Sequence, residues 1–84
     1  MTEVTILTQA SCVFCTQAKE IFSRLGAEYP INVHEEDLNT EIGRALALKH
    51  GVMFAPGVLI NGKLFSFGRL SEKKIRKHLS EQCD

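Results

Sequence analysis

The chain has 84 residues, 44% of them hydrophobic and 24% charged, the composition of a small globular unit with material for one core. Its formal net charge is zero, which excludes a bulk electrostatic grip on nucleic acid or on an anionic membrane surface. No apolar run approaches the ~20 residues of a membrane-spanning helix, and residues 1–84 read as a single domain without repeats or low-complexity segments.

In chain order, Val4-Thr5-Ile6-Leu7-Thr8 is β-branched and apolar without clean alternation, as a strand buried on both faces should be. Gln9-Ala10-Ser11 is a short loop, with Ser11 as the expected helix N-cap. Phe14, Ala18, Ile21, Phe22 and Leu25 then mark one face of an amphipathic helix that Gly26 should end. A second strand is expected over Tyr29 to His34, with Pro30 at its entry. The acidic run Glu35-Glu36-Asp37 reads as the solvated approach to a second helix. Asn39 or Thr40 caps that helix, which carries Ile42, Ala45 and Leu46 with Lys49-His50 in its last turn; Gly43 weakens it slightly, and Gly51 ends it.

Val58-Leu59-Ile60 and Lys63-Leu64-Phe65-Ser66-Phe67 flank Asn61-Gly62, the strongest short-range hairpin signal in the chain. Ser71 should cap a last helix with Ile75 and Leu79 inward and Lys73, Lys74, Arg76 and Lys77 mostly outward. The order is therefore βαβαββα. A right-handed parallel crossover followed by an antiparallel hairpin implies an α/β fold, a four-stranded mixed sheet with helices on both faces.

Charge divides along the chain: residues 1–43 carry two Lys/Arg against seven acids, residues 44–84 eight against three. Two complementary halves of one fold account for this, and a basic face that selects an acidic partner is the sharper alternative. Met1-Thr2-Glu3-Val4 is acidic and lacks the apolar run of a secretory leader. Three cysteines are an odd count for a disulfide-stapled secreted scaffold. A cytoplasmic location is the expectation.

Cys12-Val13-Phe14-Cys15 carries the chemistry. Side chains at i and i+3 on a helix stand ~5–6 Å apart, close enough to exchange between dithiol and disulfide after a small adjustment. Cys12, at the helix start, sits beside unpaired N–H groups and the positive end of the helix dipole, both of which favour a thiolate. It is the expected nucleophile, and Cys15, one turn deeper, the expected resolving thiol. Two other readings stay open on these residues alone. The motif is half of a zinc site, although Cys83, His34, His50 and His78 are scattered along the chain, or the cysteines are buried and structural. Cys83 reads as a bystander near the C-terminus.

Taken with His50-Gly51-Val52-Met53-Phe54-Ala55-Pro56 and Val58-Leu59-Ile60-Asn61-Gly62-Lys63, the motif resembles the glutaredoxins and small thioredoxin-like redoxins over nearly the whole chain. The resemblance implies a thioredoxin-like fold and a cis bond before Pro56. It also implies a docking platform of Phe54, Ala55 and Pro56 for a substrate backbone. In glutaredoxins a Gly-Gly pair followed by acidic residues grips glutathione; the matching stretch here is Phe67-Gly68-Arg69-Leu70-Ser71-Glu72, with one glycine of the two. Gln9 stands where those proteins have Lys, and Ser11 where thioredoxins have Trp. Val13-Phe14 replaces the Gly-Pro of thioredoxins, and Val4 to Thr8 lacks their buried acid. Gly68, Arg69, Leu70 and Ser71 therefore remain binding residues with an incomplete glutathione grip.

The function implied is a thiol–disulfide oxidoreductase that reduces protein disulfides as a monomer. It would need no cofactor or metal and would be recycled by a flavoenzyme of the thioredoxin reductase type. A glutathione-dependent glutaredoxin is the alternative within that class, and a non-enzymatic redox-sensing or partner-binding module the alternative outside it.

Overall fold

Hydrogen bonding places β1 (Thr2–Thr8) at the centre of the molecule, parallel to β2 (Ile31–Asp37) on one side and antiparallel to β3 (Gly57–Ile60) on the other. β4 (Lys63–Phe67) pairs antiparallel with β3, so the sheet runs β2-β1-β3-β4. Three helices complete the computed structural model, which describes residues 1–82: α1 (Val13–Leu25), α2 (Glu41–His50) and α3 (Glu72–Gln82). The βαβαββα order and the mixed sheet are those the sequence predicts. Cys83 lies outside the described residues.

The hairpin turn forms because Asn61 and Gly62 accept positive φ, 50° and 81°, the requirement of a tight two-residue loop matched to strand twist. Asn61 also locks the turn to β1: its N–H donates to the Glu3 carbonyl at 2.7 Å, and its Oδ1 accepts from the Glu3 N–H at 2.9 Å.

One face of the sheet carries Val4, Ile6, Val58 and Ile60. They pack against Ala18, Ile21, Phe22 and Leu25 of α1, and against Leu70, Ile75 and Leu79 at and within α3. Each large side chain fully buried here contributes roughly 1.5–3 kcal/mol of transfer free energy. On the opposite face Leu7 and Leu59 are buried, and Gly57 lies under the Val52 side chain beside Leu7.

Several local expectations are corrected. Phe14 is 45% exposed and leaves the core to Cys15. Cys15 is the first buried residue of α1, followed by Ala18, Ile21, Phe22 and Leu25, and Phe14 faces away from that row. On α2, Ile42 is 61% exposed and Ala45 is exposed, while Gly43 is the buried residue. The helix meets the chain in front of it through Gly43, where a Cβ would overlap the Asp37 carbonyl. Its apolar side chains therefore flank the contact instead of filling it.

β2 runs from Ile31 to Asp37, not from Tyr29 to His34. Tyr29 still donates its N–H to the Leu25 carbonyl as the exit from α1, and parallel pairing from Thr2–Ile31 to Thr8–Asp37 draws the acidic run into the strand. On an edge strand those charges discourage pairing with another sheet. Gly26 ends α1 in the right-handed region, whereas Gly51 ends α2 at φ 68°. Thr40 caps α2, its Oγ1 accepting from the Gly43 N–H at 3.0 Å.

The charge halves meet on one flank. Arg24 bonds Glu72 at 2.6 Å, Glu72 bonds Arg76 at 3.1 Å, and Arg76 bonds Glu28 at 2.6 Å. This chain of pairs ties α3 to α1 and to the loop that follows it. Hydrogen bonds from Arg24 and then Arg76 hold the Glu72 carboxyl below the usual carboxylate range.

Candidate redox site

β1 ends at Thr8 and the chain turns through Gln9-Ala10-Ser11, with Ser11 in the left-handed region at φ 55°. The cap of α1 is Cys12 rather than Ser11. Cys12 is extended at φ −110° and ψ 108°, and its Sγ accepts a hydrogen bond from the Cys15 N–H at 3.1 Å. A sulfur here takes the place of the usual capping oxygen, because residue 12 is the last extended one before the helix and its side chain reaches the free donors of the first turn.

Cys12 and Cys15 are joined as a disulfide with their Cα atoms 5.2 Å apart. Cys12 is half-buried and Cys15 only 2% exposed. Among the described residues, no group of three His, Cys, Asp or Glu side chains is placed to hold a metal ion.

The other residues singled out in the sequence stand at the same end of the sheet. Gly57 pairs with Leu7 of β1 and with Phe67 of β4. The Ala55–Pro56 bond therefore precedes the point where β1 leads out toward Cys12. That bond is cis, and Pro56 is buried. The Gly68 N–H donates to the Pro56 carbonyl at 2.9 Å, joining the two segments, and Gly68 has φ 84°.

Phe54 is 64% exposed, and its ring stacks on that of Phe67 with centroids 6.2 Å apart. Val13, Phe14 and Met53 are also exposed on the segments that carry the site. Sequence reasoning named Phe54 and missed Phe67 as its partner.

The stretch after β4 divides its roles. Leu70 has its side chain in the core, so any part it plays at the surface rests on its backbone. Ser71 caps α3, its Oγ accepting from the Lys74 N–H at 3.3 Å. Arg69 is exposed and lines a groove of about 610 Å³ with Gln17, Glu20, Arg24 and Ser71.

A disulfide at a helix N-terminus, on a four-stranded mixed sheet with a cis-proline loop at the same end, defines a thioredoxin-like thiol–disulfide oxidoreductase. A family model described as a thioredoxin domain matches residues 2–80, and the chain belongs to that family.

It is 27% identical over 77 residues to a probable thioredoxin of Archaeoglobus fulgidus, covering 92% of this chain and 85% of the relative. It is 36% identical over 61 residues to glutaredoxin-C6 of Oryza sativa subsp. japonica, covering 71% of this chain and 54% of the relative.

Two solved structures share the fold. A mutant thioredoxin from Halobacterium salinarum superposes with a TM-score of 0.78 at 16% identity, covering 99% of this chain and 75% of the other. The oxidised mitochondrial thioredoxin 3 of Saccharomyces cerevisiae gives 0.73 at 15%, covering 95% and 77%. Membership of this family and the Cys12–Cys15 pair make the chain a protein-disulfide oxidoreductase, acting on disulfide-containing substrates.

Proposed function

We propose that the chain is a dithiol protein-disulfide reductase in which Cys12 attacks and Cys15 resolves, recycled by a flavoenzyme of the thioredoxin reductase type. The observation that carries the division of roles is exposure: Cys12 is half-buried at the helix cap, whereas Cys15 is 2% exposed. In the dithiol form the helix N-terminus and the Cys15 N–H both favour a thiolate at Cys12. That thiolate attacks one sulfur of the substrate disulfide. The substrate S–S bond breaks, and one substrate sulfur departs as a thiolate that takes up a proton.

The Cys15 sulfur then gives up its proton and attacks Cys12 Sγ. The mixed disulfide breaks, the second substrate sulfur leaves and is protonated, and the Cys12–Cys15 disulfide remains. Two electrons have passed to the substrate. In this scheme the Cys15 proton goes to solvent or to the departing thiolate. The backbone of Phe54, Ala55 and Pro56 receives the substrate chain. The exposed Val13, Phe14, Met53, Phe54 and Phe67 take apolar residues beside its cysteine. The same reading has the protein working as a monomer in a reducing, cytoplasmic compartment.

Arg69 and Gln9 support the choice of electron donor. Each replaces a feature of the glutathione grip, the second glycine and the lysine before the motif. The thioredoxin names of several relatives point the same way. Glutathione is the second reading, favoured by the rice relative and by the groove beside Arg69 and Ser71, at the start of a helix suited to a carboxylate. NADPH consumption with an oxidised protein substrate separates the two. Turnover should be supported by thioredoxin reductase and be tenfold or more slower with glutathione plus glutathione reductase. Fast turnover at millimolar glutathione would establish the second reading instead.

A further inference from the structure

A second surface lies away from the thiols, where α3 passes along the outer strand of the sheet. Helix α3 carries two sets of charges. Glu72 and Arg76 turn toward α1 and are consumed in pairs with Arg24 and Glu28. Lys74, Lys77, His78 and Glu81 recur at helical spacing on the side toward β4, where with Phe65 and Ser66 they line a groove of about 440 Å³.

Among the described residues no carboxylate lies within ion-pair distance of Lys63, Lys73, Lys74 or Lys77, and Glu81 is the groove's one acid. Phe65 packs on the core and against the His78 ring, with centroids 5.0 Å apart, giving the groove an apolar base. Ser66 has a buried hydroxyl without a hydrogen-bond partner. β4 pairs on one side only, so half of its backbone donors and acceptors face away from the sheet.

Open strand edge, idle hydroxyl and unpaired lysines all lack the same thing, an extended chain bearing negative charge. We propose that the β4–α3 groove binds an acidic, extended segment of a partner protein, which adds to the sheet along β4. Alternate side chains of such a segment fall ~6.8 Å apart. Lys74 and Lys77 stand ~5–6 Å apart at their Cβ atoms, and flexible lysine stems span the difference. The intervening residues point to the other face of the sheet, so the side chains that meet the lysines also pass over Phe65. The strand edge selects a polypeptide over a phosphate polymer, because it offers a ladder of backbone groups rather than a row of cations. This surface is independent of the thiol chemistry, so its test leaves that reading untouched.

The test uses the full chain labelled with ¹⁵N and a capped hexapeptide alternating glutamate and valine. Addition of the peptide should shift the amide signals of Phe65, Ser66, Lys74, Lys77 and His78 and slow amide exchange in β4. Affinity should fall about tenfold when salt is raised until the Debye length drops from ~10 Å to ~3 Å. Lys74→Glu/Lys77→Glu should weaken binding tenfold or more, and Lys74→Gln/Lys77→Gln less. The proposal is overturned by silence at millimolar peptide, by shifts centred on Phe54 and Phe67, or by unchanged affinity in the charge-reversed variant. Equal shifts with inorganic phosphate would make it a small-anion site. Self-association of the chain through its acidic β2 edge would make the occupant a second copy. Either result refutes the acidic partner.

Discussion

Gly43→Ala tests the seating of α2. In an open helix this change adds stability, since alanine is favoured over glycine by ~0.8–1.0 kcal/mol. Here the added methyl would overlap the Asp37 carbonyl oxygen and stand 2.7 Å from its carbon and 3.1 Å from the Leu38 Cα. All three atoms are backbone, so relief requires α2 to move off the end of β2 or the Asp37–Leu38 peptide to rotate. The peptide is held in place, because Leu38 donates its N–H to the Thr8 carbonyl at 2.8 Å. Forcing a methyl into such a contact costs ~1–3 kcal/mol and occasionally more, which exceeds the gain in propensity. An overlap with fixed backbone belongs at the upper end of that range, so less the propensity gain we expect a net loss of about 2 kcal/mol, or roughly 8–16 °C in Tm for a unit of this size.

The assay is thermal and urea unfolding of the oxidised protein, with Gly26→Ala as the control. Gly26 is right-handed, and its nearest obstacle is the Phe22 carbonyl at 3.3 Å, so that variant should stay within ~1 kcal/mol of the parent. A Gly43→Ala protein as stable as the parent or more so would refute the close-approach reasoning.

Cys15→Ser should trap mixed disulfides on Cys12, and Cys12→Ser should abolish reductase activity; preferential alkylation of Cys15 at neutral pH, read by mass spectrometry, would reverse the assignment. Pro56→Ala should lower insulin-disulfide reduction severalfold while both thiols still titrate, and full activity would remove the platform role. Glu72 has its carboxyl held low in the folded state by Arg24 and Arg76, so its contribution is complete above the unfolded value near ~4.3 and is lost as pH falls through the lower folded one. Glu72→Gln should accordingly narrow the gap in urea midpoint between neutral and acidic solution, and an unchanged gap would show that the arginine pairs contribute nothing.

What was legible in the sequence was what short-range chemistry decides. Asn61-Gly62 specifies its turn because few residue pairs tolerate two positive φ values, and Cys12-Val13-Phe14-Cys15 between a strand and a helix makes a redox pair the best fit. Tertiary pairing set the rest. A two-residue turn carries the hairpin register from Ile60–Lys63 to Leu59–Leu64 and, if continued, would place Ser66 opposite Gly57. The irregularity between Val58 and Leu59 shifts it by one residue and brings Phe67 there instead. Phe67 consequently reaches Phe54, a meeting that no local pattern announces.

Gly43 misled in a similar way: within its own helix it is a weak propensity, and only the passing Asp37 backbone makes it a spatial requirement. The extent of β2 was likewise beyond local reading, since Glu35, Glu36 and Asp37 enter the strand through the register imposed by β1.

The hydrogen bond from the Cys15 N–H to Cys12 Sγ bears on how quickly the centre can turn over. A redox carrier is slowed by whatever must rearrange when charge arrives. At this site the group that welcomes negative charge on Cys12 is a backbone donor, fixed by the first turn of α1 and supplied by the very residue that closes the disulfide. The solvent-like response to a new thiolate is thus built into the helix before the electron pair comes. A donor fixed in this way meets a thiolate on Cys12 without any new hydrogen bond having to be recruited.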